Sequence, residues 1–483
     1  MRRHLGARNL IVVVLTALVG LLGPASIAAG EPLPAIADAH ASDAVLVRYR
    51  GGINTTRRAA LASLVSAVTS DRLSRLAPST VRMKLPRSVS VELALKRLRM
   101  QADVLYAEPD YRVEPALVAN DTYYANGLLW GMYGDGSAPA NAFGSGAAEA
   151  WAQGHTGSAQ VYVGIVDEGV QFNHPDLAAN VWTNPFEIAG DGRDNDGNGY
   201  VDDIHGWDFA NNNASVYDGG STASVDSHGT HVAGTIGALG GNNAGVAGVN
   251  WRVTMIPAKF MGAQGGLISD AIKALDYLTD LHWRHGLNVV ASNNSWGGGG
   301  YNPPLLDAIE RAGDAGMLFV AAAGNSGTNN DTAQAWPANY QCTSHADGTP
   351  RGYDCVISVA ALTSAGLLAS YSNHGATSVD LAAPGSNISS TVPLNSYAAY
   401  NGTSMATPHV TGALALCASI GGLGAADLRS AVMNSVALTP ALLGKTASGG
   451  RLDVGAMVQW CTPSDQPGSG APSALSATAL GTR

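Results

Sequence analysis

The chain has 483 residues, of which 46% are hydrophobic and 13% are charged, and its formal net charge is −10. That length suits one large domain or two to three smaller ones. Residues 31–117 hold 13 Lys and Arg against 9 Asp and Glu, whereas residues 118–483 hold 11 against 28. The acidic charge of residues 118–483 argues against nucleic-acid binding by that part of the chain. The basic charge of residues 31–117, the front segment, would attract it to the acidic part.

The N-terminus, residues 1–29, has the pattern of a secretory signal peptide. Three arginines precede the apolar run LIVVVLTALVGLLG, and the small residues of PASIAAG follow it. A membrane anchor is the alternative, but the apolar run is shorter than the ~20 residues that a span needs. We therefore expect cleavage after Ala28 or Ala29, a secreted, extracellular protein, and no membrane span in the mature form.

Residues 30–118 are predicted to form a small α+β domain. The stretches AVLVRYR, STVRMKLP and DVLYAEPDYRVEP have the composition of strands, and two stretches between them, TRRAALASLVSAV and VSVELALKRLRMQ, have the spacing of amphipathic helices. This order predicts two helices packed on one antiparallel sheet. Turn-forming residues follow, so we place a domain boundary near Val118 to Asp121.

Residues 119–462 alternate between strand-like and helix-like stretches. Apolar runs such as QVYVGIVD, MLFVAAAG and VISVAAL are separated by helical patterns such as SDAIKALDYLTDLHWRH. This alternation predicts an α/β fold, a mostly parallel sheet with helices on both faces, whose functional residues lie at the carboxyl ends of the strands. Residues 463–483 are small, polar and proline-bearing, and we interpret them as a disordered tail.

The four cysteines of the chain allow three pairings in an oxidising compartment. We favour bonds between neighbours, Cys342 with Cys355 and Cys417 with Cys461, because the first two bracket a turn-rich loop. None of the four has the Cys-x-x-Cys spacing of a zinc or redox site. We therefore expect their role to be structural.

Three reactive side chains stand in turn-rich surroundings beside predicted strands or helices. Asp167 ends the strand in VGIVDEGV, His228 lies in SHGTHVAGT, and Ser404 begins a helix in NGTSMATPHVTG. Serine is a poor nucleophile unless a base lies within hydrogen-bond reach, and the base needs a carboxylate to hold its tautomer. Acyl transfer also needs donors for the oxyanion, which Asn325 in AAAGNSG and the backbone N–H of Ser404 could supply.

Each motif has a plainer interpretation when it is taken alone. His228 and His231 could be a buried structural pair or a metal site, although the chain contains no His-Glu-x-x-His. Asn325 could be a turn residue only. We assign His231, together with His174 and His409, to packing or hydrogen bonding.

In this order, the stretches VDEGVQFNHPDL, DSHGTHVAGTIGA, AAAGNSG and NGTSMATPHVTGALAL resemble the subtilisin-like serine peptidase family, over residues 130–459. The resemblance implies a serine endopeptidase that hydrolyses protein or peptide substrates through an acyl-enzyme. By position, Ser404 would be the nucleophile, His228 the base, Asp167 the residue that orients the base, and Asn325 the side-chain donor of the oxyanion hole.

The front segment also resembles the prodomain of that family, most clearly in YAEPDYRV. The resemblance implies that residues 30–118 assist folding, act as an intramolecular inhibitor and are removed by self-cleavage near Val118 to Asp121. We expect the mature protein to be a monomer.

Two alternatives and one departure accompany the resemblance. The related sedolisins use Glu where subtilisins use His, so His228 argues against them. A non-catalytic calcium-binding surface protein on the same fold would show a degenerate triad, whereas this triad is intact. The departure is Glu168, where family members often carry Ser or Thr. Two carboxylates held close together would raise the pKa of one of them. We therefore expect the side chain of Glu168 to point away from Asp167.

The segment DGRDNDGNGYVDD has the spacing of a calcium loop, with oxygen ligands at positions one, three and five and glycine at position six. His205 occupies position twelve, where an EF-hand loop carries a glutamate. The candidate ligands are Asp194, Asp196, Asn198, Tyr200 through its carbonyl, and Asp202 or Asp203. The family commonly binds calcium in surface loops, which supports calcium as a structural cofactor, and an acidic solvated turn is the alternative.

In the family, the segment that matches NNSWGGGG pairs with the substrate backbone as an added strand. The resemblance thus implies that Ser295, Trp296, Gly297 and Gly298 bind substrate. The indole of Trp296 would form an apolar wall or belong to the core. Ala335, in TAQAWPANY, would lie at the base of the pocket for the residue before the scissile bond, where a small side chain suits large apolar or aromatic substrates.

Overall fold

The computed structural model describes residues 40–73, 75–76, 78–111, 117–219, 224–262 and 264–461. The predicted signal peptide and the predicted C-terminal tail lie outside the described residues. The chain divides into two compact units, Met1–Glu114 and Pro115–Arg483. In the part of the chain that the structure describes, no helix combines the length and apolar character that a membrane span requires.

The described part of the first unit is a four-stranded antiparallel sheet with two helices, in the strand order β2-β3-β1-β4. Its elements are β1 His40–Tyr49, α1 Thr55–Leu64, β2 Thr69–Arg72, β3 Thr80–Lys84, α2 Val91–Arg99 and β4 Val104–Tyr111. The side chain of Ser90 caps α2 by accepting from the N–H of Leu93. Its buried residues, Val91, Leu95 and Leu98 among them, recur at helical spacing, so one face of α2 covers the core of this unit.

The second unit contains a nine-stranded sheet in the order β16-β17-β13-β12-β11-β10-β5-β7-β6. The strands of this unit are β5 Gly157–Asp167, β6 Trp207–Asp208, β7 Arg252–Lys259, β8 Met261–Gly262, β9 Gly265–Gly266, β10 Val289–Asn294, β11 Leu318–Ala322, β12 Val356–Leu362, β13 Leu381–Pro384, β14 Ile388–Val392, β15 Ser396–Tyr400, β16 Ala437–Leu438 and β17 Gly450–Arg451. Neighbours from β13 to β6 are parallel, and β16 pairs antiparallel with β17 at one edge.

Two groups of helices pack on this sheet, α6 with α7 and α5 with α8. The helices of the unit are α3 Thr122–Ala125, α4 Ala147–Ala152, α5 Ser227–Gly237, α6 Ile268–His285, α7 Pro303–Asp314, α8 Thr403–Ala418, α9 Ala425–Asn434 and α10 Val454–Cys461. Short 3₁₀ turns lie at Trp130–Met132 and Pro440–Leu442. The predicted α/β class, a mostly parallel sheet with helices, is confirmed.

The helix α8 is hydrophobic around its whole circumference and packs across β5, β10, β11, β12 and β13. Such a helix is stable only in the interior, and nearly all of its residues are buried. One disulfide joins Cys417 near its end to Cys461 at the end of α10, and the other joins Cys342 to Cys355. These are the two bonds between neighbouring cysteines that the sequence favours.

Candidate active site

The strand β5 ends at Asp167, and the helix α5 begins one residue before His228. Asp167 is fully buried, and its Oδ1 and Oδ2 lie 2.8 and 3.1 Å from His228 Nδ1. Because an ionised carboxylate only accepts hydrogen bonds, Nδ1 carries the proton and Nε2 remains the basic nitrogen. Burial opposes protonation of His228, but the Asp167 carboxylate, its hydrogen bond and the charge of Glu168 outweigh burial, so the pKa of His228 is raised.

Ser404 lies in the first turn of α8, where it lines one cavity together with His228, Asn325 and Met405. Its Oγ donates to the carbonyl oxygen of Ser295 at 3.1 Å. A hydroxyl has a single proton, so in this rotamer the proton is directed to Ser295 and not to the imidazole. Ser404 and His228 therefore line the same cleft, and the buried Asp167 contacts His228 from behind. The serine hydroxyl is turned to Ser295, the residue directly after β10.

Asn325 lies shortly after the end of β11, and Thr403 holds its side chain by hydrogen bonds. Its Oδ1 accepts from the backbone N–H and from the hydroxyl of Thr403, at 2.8 and 2.9 Å. Among the described residues, no acceptor lies within hydrogen-bond reach of the amide Nδ2, which is the remaining donor of Asn325. A Cβ added to Gly402 would lie 3.5 Å from the backbone nitrogen of Ser404 and 3.7 Å from Asn325 Nδ2. A side chain at 402 would therefore enter the space beside these two nitrogens.

The five residues predicted to bind substrate line a second cavity, which also reaches Asn325 and Ser404. They are Ser295, Trp296, Gly297, Gly298 and Ala335. The ring of Trp296 packs edge-on against Phe260 and Phe319 and is only partly buried, so it belongs to the core and to the cavity wall at once.

Trp336, which was not among the predicted substrate-binding residues, lines the same cavity. Its carbonyl oxygen accepts from the N–H of Gly298 at 3.0 Å, and a Cβ on Gly297 would lie 3.1 Å from that oxygen. The close approach of the two segments thus favours glycine at 297. The sequence offered one signal for Trp336, which is that it directly follows Ala335, a predicted pocket residue.

The expectation that Glu168 points away is wrong. Its Oε1 accepts from the backbone N–H of His228 at 2.6 Å, while its own N–H donates to Asp167 Oδ1 at 2.8 Å. Burial raises the pKa of Glu168, and the negative charges of Asp167 and Asp226 raise it further. The hydrogen bond from the backbone N–H of His228 lowers it, but by less. The start of α5 carries partial positive charge, which stabilises the second carboxylate. The expectation considered only the repulsion between the two carboxylates and not this attraction.

The three histidines assigned to packing are buried and bonded to backbone groups. His231 Nε2 lies 2.9 Å from the carbonyl oxygen of Ile388, and burial lowers its pKa to about 3. His174 Nε2 lies 3.2 Å from the carbonyl oxygen of Ser396. His409 Nδ1 lies 2.9 Å from the carbonyl oxygen of Met405, and burial lowers its pKa to about 4.

In the acidic loop, the residues from Glu187 to Asp203, the carboxylate oxygens of Glu187, Asp194 and Asp196 lie within 4.8 Å of one another. Oxygen donors of this kind suit hard cations such as calcium. The carboxylates also order the loop, since Asp194 accepts from the N–H groups of Gly197 and Gly199 at 2.7 and 2.9 Å. The cluster could hold a metal ion.

Glu187 was not predicted, because the count of loop positions began at Asp194. Its Oε1 accepts from the N–H groups of Asn195 and Asp196, and its Oε2 accepts from the N–H of Asp202. A carboxylate that lies ahead of the regularly spaced ligand positions and folds back onto them has no fixed spacing, so the sequence carried no clear signal for it.

Two other predicted ligands, Asp202 and Asp203, accept from groups outside the three-carboxylate cluster. Asp202 accepts from the N–H groups of Gly190 and Gly192, while Asp203 accepts from the hydroxyl of Tyr277 at 2.6 Å. Burial raises the pKa of Asp203 to about 6, although the hydrogen bonds that it accepts from Tyr277 and two asparagines lower it.

Two further predicted ligands, Asn198 and Tyr200, lie beside the cluster. The amide of Asn198 bridges Asp196 and Asp203, and its Oδ1 accepts from the N–H of Tyr200. The ring of Tyr200 packs against aromatic side chains, Trp207 among them.

Comparison with known proteins identifies the family. A model of the subtilase family matches residues 158–456. An extracellular protease of Xanthomonas campestris pv. campestris is 32% identical over 450 residues, which cover 85% of this chain and 71% of the relative. A thermophilic serine proteinase of a Bacillus species is 31% identical over 388 residues, 79% of each chain. Subtilisin E of Bacillus subtilis is 33% identical over 329 residues, 68% of each.

A solved structure of a protease from Pseudoalteromonas arctica superposes with a TM-score of 0.52 at 27% identity, covering 72% of this chain and 100% of that one. The family match spans more than half of the chain and includes the ends of β5 and β11 and the starts of α5 and α8, where the cleft residues lie. The chain belongs to the subtilase family and is a serine endopeptidase.

Proposed function

We propose that this protein hydrolyses peptide bonds through a triad of Ser404, His228 and Asp167, with Asn325 as an oxyanion donor. The observation that carries the proposal is the contact between His228 Nδ1 and Asp167 Oδ1 at 2.8 Å, beside a cavity that Ser404 and Asn325 also line. An oriented imidazole that lines the same cavity as a serine is what a serine hydroxyl needs for activation in acyl transfer.

In the proposed mechanism, Ser404 Oγ leaves the carbonyl of Ser295 and gives its proton to His228 Nε2 as it attacks the substrate carbonyl. The imidazolium is stabilised by the buried carboxylate of Asp167. The oxyanion is stabilised by Asn325 Nδ2 and the backbone N–H of Ser404, which lies at the positive end of α8. His228 then protonates the leaving amine, and a water molecule, activated by His228, releases the acyl group from Ser404.

The test is Ser404→Ala in the full-length chain, with Ser419→Ala as the control. Ser419 lies just past the other end of the same helix and donates to the carbonyl of Leu416. We expect Ser404→Ala to abolish casein hydrolysis and labelling by a fluorophosphonate, and Ser419→Ala to retain both. Casein hydrolysis and self-processing by Ser404→Ala at the normal rate would refute the assignment.

We also propose that the chain is made as a secreted precursor. A relative is named an extracellular protease, and the predicted signal peptide and the basic segment 30–118 precede the catalytic unit in the sequence. In this proposal residues 30–118 assist folding and inhibit the enzyme until Ser404 cleaves near Val118 to Asp121. N-terminal sequencing of the secreted protein should give a start in that range, and Ser404→Ala should accumulate the uncleaved precursor.

We propose calcium as the structural cofactor of the acidic loop. Glu187, Asp194 and Asp196 would hold the ion, which would neutralise three close carboxylates and so stabilise the loop. The donor set fits, because all three contribute carboxylate oxygens. His285 contacts this cluster from α6, with its Nε2 3.2 Å from Asp196 Oδ2.

A further inference from the structure

The helix that carries His228 begins without a side-chain cap from its own segment. Asp226, the residue before α5, has a φ of 54° in the left-handed region and makes no side-chain cap hydrogen bond. Its carboxylate instead accepts from Lys259 Nζ at 2.6 Å and from the N–H of Asp218 at 2.7 Å. Asp before a helix ordinarily satisfies a free N–H of the first turn, so another acceptor has to do so here.

Glu168 supplies this acceptor from the end of β5. The distance of 2.6 Å between its Oε1 and the nitrogen of His228 is as short as that of a charge-assisted hydrogen bond. The start of a helix carries partial positive charge, which favours a carboxylate at this place. Glu168 therefore caps α5 from a different element of the fold.

Two consecutive residues thus hold the same histidine at two points. Asp167 accepts from the imidazole at 2.8 Å, and Glu168 accepts from the backbone N–H. The backbone N–H of Glu168 also donates to Asp167 Oδ1, which ties the Asp167 carboxylate to the backbone of its neighbour. A shift of the start of α5 relative to β5 would disturb both contacts to His228 together.

The charged groups that face Glu168 are Asp167, His228 and Asp226, and Asp226 is paired with the buried ammonium of Lys259. Burial and the two aspartates raise the pKa of Glu168, whereas the His228 backbone N–H and imidazole lower it. The charge of Glu168 in turn contributes to the raised pKa of His228. A negative charge here favours the imidazolium that forms during acyl transfer.

We propose that Glu168 is a positioning residue for His228, anchoring its backbone at the start of α5 and stabilising the protonated imidazole through its own negative charge. This inference rests on the proposed function, because Glu168 can position a general base only if His228 is that base.

The test compares Glu168→Gln with Glu168→Ala in the protein secreted from the full-length chain. Gln keeps an oxygen for the N–H of His228 but removes the charge, so the acid limb of kcat/KM should move to lower pH by about half a unit. Ala also removes the acceptor, so kcat should fall in addition by about tenfold to a hundredfold with KM little changed. The control, Glu310→Gln, removes the same charge from α7 and should keep the wild-type profile.

An acid limb of Glu168→Gln that coincides with that of the wild type overturns the proposal, and so does a Glu168→Ala enzyme with wild-type kcat. The Gln variant decides the matter if the Ala variant does not fold. A different result, a wild-type protein that hydrolyses no peptide and is not labelled at Ser404 by a fluorophosphonate, would refute the proposed function itself.

Discussion

The cleft and the acidic loop both gather oxygen-bearing side chains, yet the fold assembles them in opposite ways. Asp167, His228 and Ser404 come from β5, α5 and α8 and meet because a parallel sheet brings them to one edge. The loop carboxylates belong to one continuous segment, in which they accept from nearby backbone N–H groups. We therefore expect changes in the cleft to act on rate and changes in the loop to act on stability.

The largest effect that this comparison predicts is that of Asp167→Asn. The amide keeps an oxygen for the N–H of Glu168 but no longer holds His228 in the required tautomer, so kcat should fall by about 10⁴-fold. The measurement is hydrolysis of a peptide p-nitroanilide, with Tm followed on the same sample. If activity fell only as much as the fraction of folded protein, the change in the cleft would have acted on stability and not on rate, and the expected difference between cleft and loop would be wrong.

Asn325→Ala should lower kcat by about 10²- to 10³-fold with little change in KM, because it removes one donor to the oxyanion. Its matched control is Asn302→Ala, which removes an amide whose Oδ1 caps α7 by accepting from the N–H of Leu305. The control should lower Tm and leave kcat near the wild-type value. The reverse pattern would place the catalytic amide elsewhere.

Removal of calcium should show the opposite signature. At a calcium concentration of about 100 times Kd, binding adds about 2.7 kcal/mol to the free energy of unfolding, so a chelator should lower Tm by a few degrees. The rate measured well below Tm should hardly change. Asp196→Ala should abolish the sensitivity of Tm to chelator, and Asp347→Ala, at an exposed turn, should retain it. Equal sensitivity in both variants would contradict a site in the acidic loop.

The smallest effect concerns the interior of α8, which joins the cleft to the core. The pKa of His409 is lowered by burial to about 4, whereas an unfolded chain has the ordinary histidine value near 6.5. Between these values the unfolded state binds the extra proton, so stability falls as pH falls, by at most about 1.4 kcal/mol per pH unit. His409→Gln should flatten the slope of the unfolding free energy between pH 6.5 and 4, measured by urea titration. An identical slope in both proteins would contradict this.

The α/β class and the candidate cleft residues could be read from the sequence because each motif is short and local. Asp167 ends an apolar strand, and Ser404 begins a helix that carries Pro408 within its early turns. The positions of Glu168 and Glu187 could not be read in the same way. Glu168 accepts from the start of α5 while Asp226 is engaged by Lys259, and Glu187 folds back onto backbone N–H groups later in the chain.

By itself, the sequence determined which residue types stand at strand ends and helix starts, since hydrophobic periodicity and turn residues act over a few neighbours. Only the tertiary structure decided which carboxylate holds the backbone of His228, that Trp336 closes on Gly297 and Gly298, and that the hydroxyl of Ser404 donates to Ser295. A hydrogen bond between remote segments depends on their distance and orientation, and these are set by the packing of the whole sheet and its helices.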